Sequence, residues 1–91
     1  MIDCQMKKGI PEHRLPNGRR VDCLTDKEAI EHDFQKKAFE CLGQALYYGY
    51  ATGKDSVCAL IVSEKGSKEY KLLKSLEGKL LVLKRVYEII E

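Results

Sequence analysis

No stretch of this chain is long and apolar enough to cross a bilayer. Its longest apolar runs, Val57 to Val62 and Leu80 to Leu83, fall far short of the roughly 20 residues that a spanning helix needs. The start, Met1-Ile2-Asp3-Cys4, lacks the basic-then-apolar pattern of a secretory signal. The cysteines at positions 4, 23, 41 and 58 include no C-x-x-C pair. That excludes zinc-finger spacing and, without a signal, argues against a disulfide framework. Neither His13 nor His32 has a partner histidine at metal-binding spacing, and Gly18 belongs to a turn rather than to a phosphate loop. No internal repeat or low-complexity segment occurs. The net charge of +2 is too small for bulk charge to argue for nucleic acid. The expectation is a cytoplasmic domain of a bacterial or phage-infected cell, not a secreted one.

What is present is ordinary globular composition. Ninety-one residues make one compact domain. A chain of this size buries only roughly 60–65% of its unfolded surface, so a homodimer is a reasonable expectation. Charged residues make up 33% of the chain, as in a soluble folded domain rather than a disordered one. Cys41 and Cys58 sit inside apolar runs and read as small core residues in a reducing compartment. Arg14, Arg19 and Arg20 flank Asp22, while Lys65, Lys68, Lys71 and Lys74 line a later segment; the plain reading of such runs is a solvated face.

Residues 1–10 lack periodicity and are expected to be weakly ordered. Glu12 to Leu15, Pro16-Asn17-Gly18 and Arg19 to Leu24 form a hairpin pattern, with Asn-Gly supplying left-handed turn angles. Alternation along Val21-Asp22-Cys23-Leu24 turns Asp22 away from Val21 and Cys23. Ala29 to Asp33 fits a strand or a helix start; as a strand it puts Glu31 and Asp33 on one face and Ile30 and His32 on the other. Asp33 fits the N-cap of a helix over about Phe34 to Thr52. Phe34, Ala38, Cys41, Leu42, Ala45, Leu46 and Gly49 form its apolar stripe. Lys37, Glu40, Gln44 and Tyr48 form a second, polar stripe, and Gly53 closes the helix. Ser56 to Ser63 reads as a strand covered on both faces. Lys68 to Glu77 reads as an amphipathic helix capped at Gly66-Ser67, with Tyr70, Leu73 and Leu76 inward. The tail from Lys79 fits helix or strand, and Val86 to Ile90 leans toward a last strand. The order is β-β-β-α-β-α-β, an α/β fold with a partly parallel sheet flanked by helices.

Two strand ends in this order carry acids. Phosphodiester hydrolysis with a divalent metal needs converging oxygen ligands, and magnesium takes one or two carboxylates, several waters and the substrate phosphate. Asp22 and Glu31 supply candidate carboxylates, and the His32 backbone carbonyl a third ligand. A nearby ammonium would stabilise developing negative charge and orient the attacking water.

Asp22, Glu31-His32-Asp33 and Gln44-x-x-x-Tyr48, in that order, resemble the PD-(D/E)XK nucleases of the restriction-endonuclease-like superfamily. The likeness is to small phage and bacterial members and to the branch with a RecB-like Gln-x-x-x-Tyr helix, and it covers about residues 12–62. It implies a restriction-endonuclease-like core, a Mg2+- or Mn2+-dependent endonuclease acting on DNA, and metal binding by Asp22 and Glu31. Gln44 and Tyr48 match helix residues that approach the DNA and the active site. The family's lysine falls at position 33, where this chain has Asp33. Lys37, one helical turn on, is the candidate replacement, and Glu12 the candidate for an additional acid. Arg14, Arg19 and Arg20 would contact the DNA backbone, with Glu40 beside Lys37 on the helix.

Simpler roles exist for each of these residues. Asp22 and Glu31 fit surface acids, Asp33 fits a cap, and Lys37 with Glu40 fits a helix-face ion pair. Asp33 in place of lysine favours a second functional reading, a catalytically inactive nuclease-fold module that binds DNA or a protein partner. A small structural scaffold without a nucleic-acid role is a third.

Overall fold

A computed structural model describes Cys4 and residues 9–79 and 83–90. Five strands form one mixed sheet in chain order: β1 (Ile10–Arg14), β2 (Arg20–Leu24), β3 (Glu28–Phe34), β4 (Asp55–Val62) and β5 (Leu83–Ile90). The first three make an antiparallel meander, and β4 and β5 add parallel to β3. Helix α1 (Ala38–Thr52) connects β3 to β4, and helix α2 (Lys68–Lys74) connects β4 to β5. The result is a small α/β domain. The weakly ordered start expected for residues 1–10 lies, apart from Cys4, Gly9 and Ile10, outside the described residues. Among the described residues no helix is long and apolar enough to cross a membrane.

Both helices pack on the same sheet face. Ala38, Cys41 and Ala45 of α1 and Leu73 of α2 share a cluster with Cys58, Leu60 and Val62 of β4 and Val86 of β5. The opposite face gathers Cys4, Cys23, Ile30, Val57 and Ala59, with Tyr87 and Ile89 against them. Strand β4 is the centre of both layers, which explains why its sequence reads as a continuous apolar run. Ala29 to Asp33 is strand, and its alternation is as expected: Ala29 belongs to the helix side and Ile30 to the other. The tail is strand as well, since Leu83–Ile90 runs beside β4.

Four local expectations need correction. The β1–β2 connection is a Pro16-Asn17-Gly18 loop, closed by Gly18 N–H to the Leu15 carbonyl at 2.9 Å and Leu15 N–H to the Arg19 carbonyl at 2.7 Å. Only Gly18 of the three has positive φ, at 90°, so this is a three-residue turn with one left-handed glycine rather than an Asn-Gly pair. Second, α1 begins later than expected. A 3-10 turn over Gln35–Lys37 precedes it and Phe34 is exposed. Asp33 Oδ1 accepts the Phe34 N–H at 3.0 Å instead of capping a helix. Third, α2 stops at Lys74, with Ser67 Oγ accepting the Tyr70 N–H at 3.1 Å as its cap. Fourth, Cys4 and Cys23 form a disulfide, contrary to the expectation of unpaired cysteines. Gly9 lies against it, where an added Cβ would fall 2.6 Å from Cys23 Sγ. Cys41 and Cys58 are free and buried, as expected.

Candidate functional site

The site forms where β2 and β3 part. Their ladder pairs Leu24 with Ala29 and Cys23 with Ile30. One step further Asp22 would face Glu31, but there the Asp22 carboxylate replaces the ladder: its Oδ2 accepts the His32 N–H at 2.8 Å. Strict alternation breaks at the same point. Val21 packs with Leu15, Ala29 and Tyr48, while Cys23, two residues on, packs on the opposite face. A strand residue's N–H and C=O share an edge, so the His32 carbonyl faces the edge on which Asp22 lies.

Glu31 is buried at 6% exposure. Its carboxyl is pushed up to about 8, by burial first, then by the negative charges of Asp22 and Asp33 and by a side-chain hydrogen bond with Asp22. Oε1 of Glu31 is buried without a hydrogen-bond partner. Its backbone carbonyl accepts the Cys41 thiol at 3.4 Å, tying β3 to α1. The hydrogen bond with Cys58, and then burial, push the Cys41 thiol up, so it stays protonated and is no nucleophile. A buried carboxyl beside a second carboxylate resists ionisation unless a cation joins them. Here Glu31 keeps a proton at neutral pH that a cation would displace.

Asp33 follows on the same strand face. Burial raises it, the Phe34 N–H and the Lys37 ammonium lower it, and Glu40 and Asp22 raise it again. The structure therefore brings Asp22, Glu31, Asp33, Lys37 and Glu40 into one electrostatic neighbourhood. The Lys37 charge acts on Asp33, whereas every influence resolved on Glu31 is a raising one.

No family model, curated protein or solved structure matches this chain. The chemistry of the site rests on its own residues. Among the described residues no group of three or more His, Cys, Asp and Glu side chains is arranged to hold a metal ion. The donor set is two carboxylates, one of them with an orphaned buried oxygen, beside a backbone edge. That fits a magnesium-type ion, which keeps most of its waters, and does not fit a closed zinc or calcium cage.

The remaining sequence candidates are placed unevenly. Tyr48 is buried at 4% exposure among Leu15, Val21 and Ala29, so it is not the surface residue expected. Seven residues make nearly two turns, so Tyr48 aligns with buried Cys41 and Tyr47 with exposed Glu40. Glu12 has a left-handed backbone, φ 49°, and its carboxylate meets Arg20 at 3.5 Å, both exposed; it joins no acid at the site. Arg14 donates to the Gly18 carbonyl at 3.3 Å. Arg19, Glu40, Gly43, Gln44 and Tyr47 line a cleft of about 540 Å³, linked to the acids through Glu40, whose charge acts on Asp33. Asn17, in the hairpin turn, donates through Nδ2 to the Tyr47 hydroxyl at 2.5 Å. Its Oδ1 accepts the Arg19 N–H at 3.0 Å. Sequence reasoning missed Asn17, Gly43 and Tyr47. The i, i+7 alignment of Glu40 with Tyr47 was the available signal for the tyrosine.

Proposed function

We propose that this domain is a metal-dependent endonuclease that hydrolyses DNA phosphodiester bonds on a restriction-endonuclease-like core. The observation that carries the reading is the parted β2–β3 edge, where Asp22 and buried Glu31 share a site that calls for a proton or a cation. The antiparallel meander running into a helical crossover and a parallel strand supports the same reading, because it sets both acids side by side on neighbouring strands, Asp22 in the middle of β2 and Glu31 in the middle of β3. Asp22 and Glu31 would hold Mg2+ or Mn2+, with the His32 carbonyl on the same edge. Such an ion supplies Lewis-acid polarisation of the phosphoryl oxygen and a water of lowered pKa. Lys37 counters negative charge at Asp33, and Gln44 offers an amide to a phosphate oxygen. Arg19 offers a bidentate cation to the backbone. The expected homodimer belongs to this proposal. Exposed Phe39 and Tyr50 stand about 20° apart around α1 and give it an apolar outer strip.

The test is cleavage of plasmid and branched DNA with Mg2+ or Mn2+, comparing wild type with Asp22→Ala and Lys37→Ala. Asp22→Ala should abolish cleavage, and Lys37→Ala should slow it at least tenfold. Cleavage that survives both substitutions would sink the assignment. The Lys37 charge acts on Asp33 and not on Glu31, which favours the second reading, a catalytically inactive module that binds DNA. For that reading the expected result is DNA binding that weakens steeply with salt and no cleavage under any metal.

A further inference from the structure

The cleft lined by Arg19, Glu40, Gln44 and Tyr47 has one lining position without a side chain, Gly43. Gly43 sits in the middle of α1, where glycine is less favourable than alanine. An added Cβ there would meet nothing within 4 Å, so no packing contact in the domain requires the glycine. Gly49, on the same helix, is the contrast, because a Cβ there would run into Ser56. A mid-helix glycine that the fold does not use, lining a cleft, leaves the helix backbone open to close approach by something else.

The walls describe that something. Tyr47 is 41% exposed, and its hydroxyl is held by Asn17, which fixes an aromatic ring at one side. Gln44 offers an amide donor and acceptor, and Glu40 an acceptor for amino groups. Arg19 reaches in from the hairpin with a cation suited to phosphate. The cleft, about 540 Å³, falls in the range that takes one small planar ligand. A base still paired in a duplex cannot present its face and its edge to such a cleft.

We propose that this cleft binds one unpaired nucleotide of a DNA strand, its base lying over Gly43 against Tyr47 and its phosphate on Arg19. This rests on the nucleic-acid reading above and deepens it: the substrate is DNA with a single-stranded or frayed segment next to the acids.

The test is anisotropy of a fluorescein-labelled 12-nucleotide single strand and of a 12-base-pair blunt duplex, in chelator so that no turnover occurs. The single strand should bind at least tenfold more tightly than the duplex. Gly43→Ala should raise Tm by a few degrees yet weaken single-strand binding, and Gly43→Val should abolish it while the far-ultraviolet circular dichroism stays that of wild type. Tyr47→Ala should cost about tenfold, the loss of one stacked base, and Tyr47→Phe much less. Unchanged binding by Gly43→Val, or equal binding of duplex and single strand, would overturn the proposal. Metal-dependent cleavage of blunt duplex with those results would leave the nuclease reading standing alone. Single-strand binding with no cleavage would do the reverse.

Discussion

At the scale of single residues, Glu31 has the largest measurable consequence. Its carboxyl titrates near 8 in the folded domain against 4.5 as a free side chain. The folded state therefore holds a proton that the unfolded state has released between those values. The stability this gives is fully present below about pH 4.5 and is lost as pH rises through 8. Glu31→Gln, neutral and of the same shape, should match wild type near pH 5 and exceed it at pH 8.5 by roughly 2–4 kcal/mol. Urea midpoints across that range measure it. Millimolar Mg2+ or Mn2+ at pH 8 should raise the wild-type midpoint and release a proton, with neither effect in Glu31→Gln. A wild-type midpoint indifferent to pH would show that Glu31 is not held as described. At Asp33, the substitution Asp33→Lys places an ammonium where the resembled family has one. It should raise cleavage at least tenfold if the nuclease reading holds, read in the same plasmid assay.

At the scale of elements, α1 is held to the sheet by the close approach of Gly49 to β4. A Cβ at Gly49 would run into Ser56 Oγ and lie 3.1 Å from the Lys54 carbonyl oxygen. Gly49→Ala is expected to cost about 1–3 kcal/mol by overpacking. Ser56→Ala removes a buried hydroxyl that has no hydrogen-bond partner, so alone it should be near neutral or stabilising. The double substitution should recover part of the Gly49→Ala loss, a coupling that a thermodynamic cycle measures. The same element shows how far periodicity goes. The spacing of Ala38, Cys41, Ala45 and Gly49 identified the buried arc of α1, and Gly53 its left-handed close. Periodicity put Tyr48 in the polar stripe, and packing against Leu15, Val21 and Ala29 decided that it goes inside. The helix starts later than its apolar stripe suggests, because Asp33 Oδ1 accepts the Phe34 N–H at the end of β3 instead of capping a helix.

For the whole molecule, the Cys4–Cys23 disulfide spans 19 residues of chain. It fastens the start of the chain to the sheet face opposite α1 and α2. Closing a loop of that length removes about 3 kcal/mol worth of unfolded-chain entropy. Reduction, or Cys4→Ser, should lower the unfolding free energy by about 2–4 kcal/mol, seen as a shift in urea midpoint between oxidised and reduced protein. Equal midpoints would mean that the bridge does not bear on stability.

Strand and helix order, the doubly covered β4 strand and the two turn glycines Gly18 and Gly53 followed from the sequence, because local pattern and backbone preference act within a few residues. Local pattern offered Asp22 and Glu31 as two acids at strand ends, whereas each lies in the middle of its strand. Tertiary structure decided the rest: that the ladder parts at Asp22, that Glu31 is buried with an orphaned oxygen, that Lys37 answers to Asp33, and that Cys4 reaches Cys23. These depend on pairing and burial across distant parts of the chain, and desolvation and through-space charge have no signature in local spacing.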